Sequence, residues 1–151
     1  MKYYDLRKEG KKRKYLYELA EAETFKVALP AAIINSACSV HGYISLINGV
    51  LIAQKSYQWD GSSVPLKKWY RWIWDSDKYC KIASLFHDAC CQLMRYGALP
   101  TYYKGYVDNH YRELCIKGGM GKRQASLRFW VLDNFYRIKV QTEEQRKILE
   151  V

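Results

Sequence analysis

No C-x-x-C pair occurs in this chain of 151 residues, and its five cysteines, Cys38, Cys80, Cys90, Cys91 and Cys115, are odd in number. That spacing excludes a closed disulfide framework and a zinc ribbon, and it fits a reducing compartment. No stretch reaches the roughly eighteen consecutive apolar residues that a membrane-spanning helix needs. A secretory leader is not expected, because Met1-Lys2-Tyr3-Tyr4-Asp5-Leu6-Arg7 carries charge where its apolar core would lie. Internal repeats, low-complexity tracts and a clear linker are also absent, so a single domain over residues 1–151 is expected.

Acidic residues are scarce: 15 Asp and Glu face 25 Lys and Arg, a formal net charge of +10. Part of the excess lies in Arg7-Lys8-Glu9-Gly10-Lys11-Lys12-Arg13-Lys14. Such a surface suits an anionic partner, whether nucleic acid, acidic lipid or an acidic protein face. A solvated basic face gives the same composition. A hydrophobic fraction of 49%, with five tryptophans and fourteen tyrosines, is enough for a real core.

The texture changes along the chain. Residues 1–22 read as a basic helix or arm, with Tyr15, Leu16, Leu19 and Ala20 at helical spacing and the basic half a candidate for mobility. Three short runs rich in β-branched and aromatic residues follow: Thr24 to Leu29, Val40 to Ile47, and Val50 to Tyr57. Asn48-Gly49 between the last two predicts a type I′ hairpin, since both positions tolerate positive φ. Beyond Pro65 the pattern is helical. Tyr79, Ile82, Ala83, Phe86, Cys90 and Leu93 form one stripe behind a candidate cap, Asp77, and Gly97-Ala98-Leu99-Pro100 ends it. A second helix is predicted from Thr101 to the Gly118-Gly119 stop, with Tyr103, Val107, His110 and Leu114 inward. A third covers Lys122 to Lys139 on Ala125, Phe129, Leu132 and Tyr136, with a terminal helix over Thr142 to Leu149. The expected fold class is therefore α+β: a small N-terminal antiparallel sheet, then a C-terminal bundle of three to four helices.

One segment concentrates chemistry. His87-Asp88 lies inside the first predicted helix and Asp108 inside the second. If the two helices form a hairpin about residue 98 or 99, a rise of about 1.5 Å per residue brings His87 and Asp108 to within about 3 Å of the same level. A carboxylate there fixes the imidazole tautomer and raises its basicity, as a general base requires. Asp88 points about 100° away around the helix. With Asp60 and the carbonyls of the loop Trp59-Asp60-Gly61-Ser62-Ser63 it offers an all-oxygen shell of the kind calcium prefers, leaving His87 to activate water. Each feature has a structural counterpart. A histidine beside an aspartate across a helix pair is more often a satisfied buried hydrogen bond than a dyad, and Asp60-Gly61 is equally a turn. A zinc site from His87 and Cys91, completed by His110 or Cys115, is a lesser alternative. The segment Lys67-Lys68-Trp69-Tyr70-Arg71-Trp72-Ile73-Trp74 suits a lipid interface or stacked bases, or else covers the sheet.

The succession of Trp59-Asp60-Gly61-Ser62-Ser63-Val64-Pro65, His87-Asp88 and Asp108-Asn109-His110-Tyr111 resembles the domain of unknown function family 1353 of tailed phages and prophages. That family carries D-G-x-S-V-P, H-D-x-x-Y and A-D-x-x-F patterns, and the likeness spans roughly Asn48 to Phe135. It implies a phage or prophage origin, with the protein in the host cytoplasm or the virion, and supplies no activity. Cys91 replaces the usual tyrosine, Val107 a small residue and Tyr111 a phenylalanine. The His-Asp then Asp order also resembles prokaryotic phospholipase A2, although this chain lacks the paired cysteines of those enzymes. That likeness implies that His87 activates water, Asp88 binds calcium and Asp108 orients His87. The leading expectation is a metal-assisted ester hydrolase acting on lipid. The alternatives are a non-enzymatic virion component or host-directed binder, and a nucleic-acid-binding protein.

Overall fold

The computed structural model describes residues 1–6, 15–26, 37–40, 42–61 and 77–135. The basic run 7–14, the loop 62–65, the Lys67 to Trp74 segment, the end of the third predicted helix from Tyr136 and the predicted helix at Thr142 to Leu149 lie outside these described residues. Among the described residues, seven strands precede three helices, the α+β order expected. Strands β1 (Tyr3–Asp5), β2 (Tyr17–Leu19) and β7 (Gln58–Trp59) form one antiparallel sheet in the order β1-β2-β7. Strands β3 (Glu23–Lys26), β4 (Ala37–Val40), β5 (Ile44–Ile47) and β6 (Val50–Ala53) form a second, in the order β3-β6-β5-β4. Helices α1 (Asp77–Arg95), α2 (Lys104–Lys117) and α3 (Lys122–Phe135) follow, with a 3₁₀ turn at Thr101–Tyr103 leading into α2.

The β5-β6 hairpin turns at Asn48-Gly49, where φ is 50° and 73°, the double positive φ of a type I′ turn. Its register sets Leu46 opposite Leu51 and Ile44 opposite Ala53. All four are buried, while Ser45, Ile47, Val50 and Ile52 take the other face, the period of two that a half-buried strand imposes. The run from Val40 to Ile47 is not one strand. A turn, closed by the Tyr43 N–H donating to the Val40 carbonyl at 3.1 Å, splits it into β4 and β5.

The expected N-terminal helix is replaced, over the described part of residues 1–22, by β1 and β2. Tyr17 and Leu19 point into the core at 0% exposure with Glu18 between them, a two-residue period that the helical spacing of Leu16, Leu19 and Ala20 conceals. Pairing on both edges of β2 satisfies its backbone groups through tertiary partners, which overrides a weak local preference.

Helix α1 is the hub. One side meets β4 and β7, and another meets α2, which in turn packs on α3. Its buried positions therefore run nearly all round: Cys80, Ala83 to His87, Ala89 to Cys91, Leu93 and Met94. Ile82, expected in the buried stripe, is 46% exposed, because the surface that α1 buries is wider than one stripe and offset from that position. Phe86 meets Phe25 of the sheet edge to face at 6.2 Å, and Trp59 donates its indole N–H to Ser84 Oγ at 3.2 Å. Burying a large apolar side chain of this kind contributes roughly 1.5–3 kcal/mol. No helix among the described residues is long and apolar enough to cross a membrane.

Candidate active site

The site is built by the turn between α1 and α2. After Arg95 the Ala98 and Leu99 N–H groups both donate back to the Leu93 carbonyl, at 2.9 and 3.2 Å, and Leu99 is buried. This closure reverses the chain tightly. The two helices run back to back, and His87 and Asp108 come to one level on their seam, as their spacing predicts.

His87 Nε2 lies 2.8 Å from Asp108 Oδ1. Asp108 is an acceptor only, so the Nε2 proton donates to it and Nδ1 is left as the acceptor edge of the neutral ring. The second carboxylate oxygen, Oδ2, is paired with Lys104, whose ammonium also donates to the Leu132 carbonyl of α3 at 2.8 Å. With Asp108 at 0% exposure, the Lys104 ammonium and the His87 N–H are what make its charge tolerable there. Lys104 thereby joins three helices through one cluster. Sequence reading missed it, although a lysine four residues before an aspartate on a helix is itself a pairing signal.

On the Nδ1 edge, Asp88 Oδ1 is 3.9 Å away, and Cys91 Sγ lies 3.7 Å from Nδ1 and 3.8 Å from Nε2. The Tyr111 ring packs against the imidazole at 5.4 Å. Burial disfavours the imidazolium, but the Cys91 sulfur and the carboxylates of Asp108 and Asp88 outweigh it and hold His87 well above its ordinary 6.5. Tyr57 approaches from the connection between β6 and β7. Burial first, and then the charge of Asp88, push its phenol well up. Such a cluster can hold a proton at Nδ1 and release it to a partner on the Asp88 side.

No family model matches the chain, and no curated protein or solved structure matches it.

Of the four predicted site residues, the structure brings His87 and Asp108 into direct contact and sets Asp88 beside them. Asp60 follows β7, whose Trp59 is tied to α1. Among the described residues no group of three or more His, Cys, Asp and Glu side chains is arranged to hold a metal ion. The carbonyls of residues 62 and 63, which the calcium expectation also uses, lie outside the described residues. Of the zinc alternatives, His110 packs edge to face on Phe86 at 4.8 Å with Nδ1 at 3.5 Å from Glu113 Oε2, and Cys115 adjoins Cys80.

Gly61, in the loop before the undescribed segment, has a structural task. Its φ is +71°, and a Cβ built there meets Tyr17 Cε2 at 2.5 Å. The chain leaves β7 directly over the Tyr17 ring, an approach that only glycine permits.

Proposed function

We propose that this protein is an ester hydrolase in which His87, oriented and charged by Asp108, removes the proton of the attacking nucleophile. The single observation that carries the reading is the 2.8 Å His87 Nε2 to Asp108 Oδ1 bond at the α1-α2 seam, with Nδ1 left on the edge nearest the part-exposed Asp88. The positive balance of the chain favours an anionic lipid ester as substrate. The likeness to family 1353 adds a phage or prophage origin to the proposal.

Hydrolysis is measured with p-nitrophenyl esters and as fatty-acid release from phosphatidylglycerol vesicles. His87→Asn is expected to lower kcat by about 10²–10⁴-fold, the usual worth of a positioned general base. Because the imidazole is held above 6.5, its neutral form accumulates only on the alkaline side. The rate therefore climbs with pH along a limb lying above 6.5. Asp108→Asn moves that limb toward 6.5 and lowers kcat.

A second reading is favoured by Lys104 and the Leu132 carbonyl: the cluster is a polar lock joining α1, α2 and α3. Breaking a buried pair by removing one partner costs about 3–5 kcal/mol. A large loss of stability in His87→Asn, together with a wild type that hydrolyses none of these esters, selects the lock.

A further inference from the structure

The histidine has a sulfur beside it. Cys91 Sγ lies 3.7 Å from His87 Nδ1 and 3.8 Å from Nε2. Distances so nearly equal set the sulfur across the ring, off the in-plane line of either nitrogen. Nε2 is engaged by Asp108, so Nδ1 is the position left to accept a proton. The four-residue spacing on α1 holds the two side chains one helical turn apart on one face. Exposure grades across the cluster: Asp108 0%, Cys91 5%, His87 7% and the Asp88 side chain 32%. Exposure thus rises toward Asp88, whose Oδ1 lies 3.9 Å from Nδ1. Cys80, Cys90 and Cys115 differ, each being fully buried, and burial pushes the Cys90 thiol well up. Those three are packing residues.

We propose that Cys91 Sγ is the nucleophile of the His87-Asp108 dyad and takes the acyl group of an ester as a thioester. The inference rests on the hydrolase reading above and names its attacking atom. A turn of the thiol about its Cα–Cβ bond first brings S–H into line with Nδ1, the imidazole staying on Asp108. The thiol proton passes to Nδ1 while a C–S bond forms at the carbonyl carbon. The ester C–O bond then breaks, and the alcohol departs with the proton from His87. In the second half water adds to the thioester and gives its proton to Nδ1. The C–S bond breaks, the acid is released, and the sulfur recovers its proton from His87. Asp108 steadies the imidazolium in both halves, and Lys104 positions Asp108.

The experiment mixes the whole chain with p-nitrophenyl acetate, quenches in acid and weighs the intact protein, with peptide mapping of the adduct. The expected result is a burst of nitrophenol near one equivalent and one acetyl group on Cys91. Burst and adduct vanish in Cys91→Ala and slow at least tenfold in His87→Asn, both variants keeping a cooperative melt. Cys91→Ser serves as a second probe: an ester adduct that accumulates without turning over also supports the assignment. Continued hydrolysis by Cys91→Ala without an adduct overturns the nucleophile and leaves the hydrolase reading intact. Equal acetylation of Cys91 in wild type and His87→Asn also overturns it, since the thiol is then merely accessible. Wild type with neither turnover nor adduct removes both readings together.

Discussion

Two buried histidines pull the acid-base behaviour of the fold in opposite directions. His87 is held above its ordinary 6.5, so the folded state binds its proton more tightly than the unfolded chain. Its contribution is fully present below 6.5 and is lost as pH rises through the raised value. His110 is lowered, chiefly by burial and partly by Lys117, against the opposing pull of Glu113. Its contribution is fully present above 6.5 and is lost as pH falls through the lowered value. Both signs place the most favourable histidine contribution near 6.5. Melting temperature against pH is expected to show an alkaline limb that flattens in His87→Asn and an acid limb that flattens in His110→Gln. An alkaline limb unchanged in His87→Asn would contradict the assigned direction. The dyad itself was legible in the chain, because equal distances from a turn are fixed by the helical rise. Lys104 was not, since the Leu132 carbonyl that completes its role comes from a third helix.

Among the elements, short-range signals survived where the backbone alone decides them. Asn48-Gly49 specifies its hairpin through φ, whatever packs around it. The N-terminal strands were illegible because β2 exists through its two neighbours, and a period of two over three residues is too short to outweigh an apparent helical one. The buried girth of α1 was likewise hidden, since one stripe was read where the sheet and α2 both bury the helix. Gly61 joins these scales, for the residue that closely follows β7 is held against the Tyr17 ring of the first sheet. Gly61→Ala adds a methyl group at 2.5 Å from the Tyr17 ring and keeps a positive φ. Overpacking and the left-handed backbone together cost about 2–4 kcal/mol. Denaturant melts should show that loss without a change of slope, and a variant within about 0.5 kcal/mol of wild type would mean that the Tyr17 ring can give way.

For the molecule as a whole, class and order were readable because strands and helices occupy separate halves of the chain, whereas the partner was not, because net charge has sign and no shape. The described residues carry the dyad, while the basic run 7–14 and the Lys67 to Trp74 segment lie outside them. The proposed substrate nonetheless makes a demand on the entire charge of +10. An enzyme of anionic lipid must collect at an anionic bilayer, and that attraction acts through solvent. The Debye length is about 10 Å at 0.1 M salt and about 3 Å at 1 M. Cosedimentation with phosphatidylglycerol vesicles is therefore expected at low ionic strength, with little on phosphatidylcholine and a steep decline as salt rises. His87→Asn should bind as wild type does, separating docking from chemistry. Equal binding to both vesicle types, undiminished by salt, would point to apolar insertion and remove the electrostatic argument for an anionic substrate. Stronger retention on DNA than on either vesicle, with the same salt dependence, would move the charge to nucleic acid and leave the dyad in need of another ester.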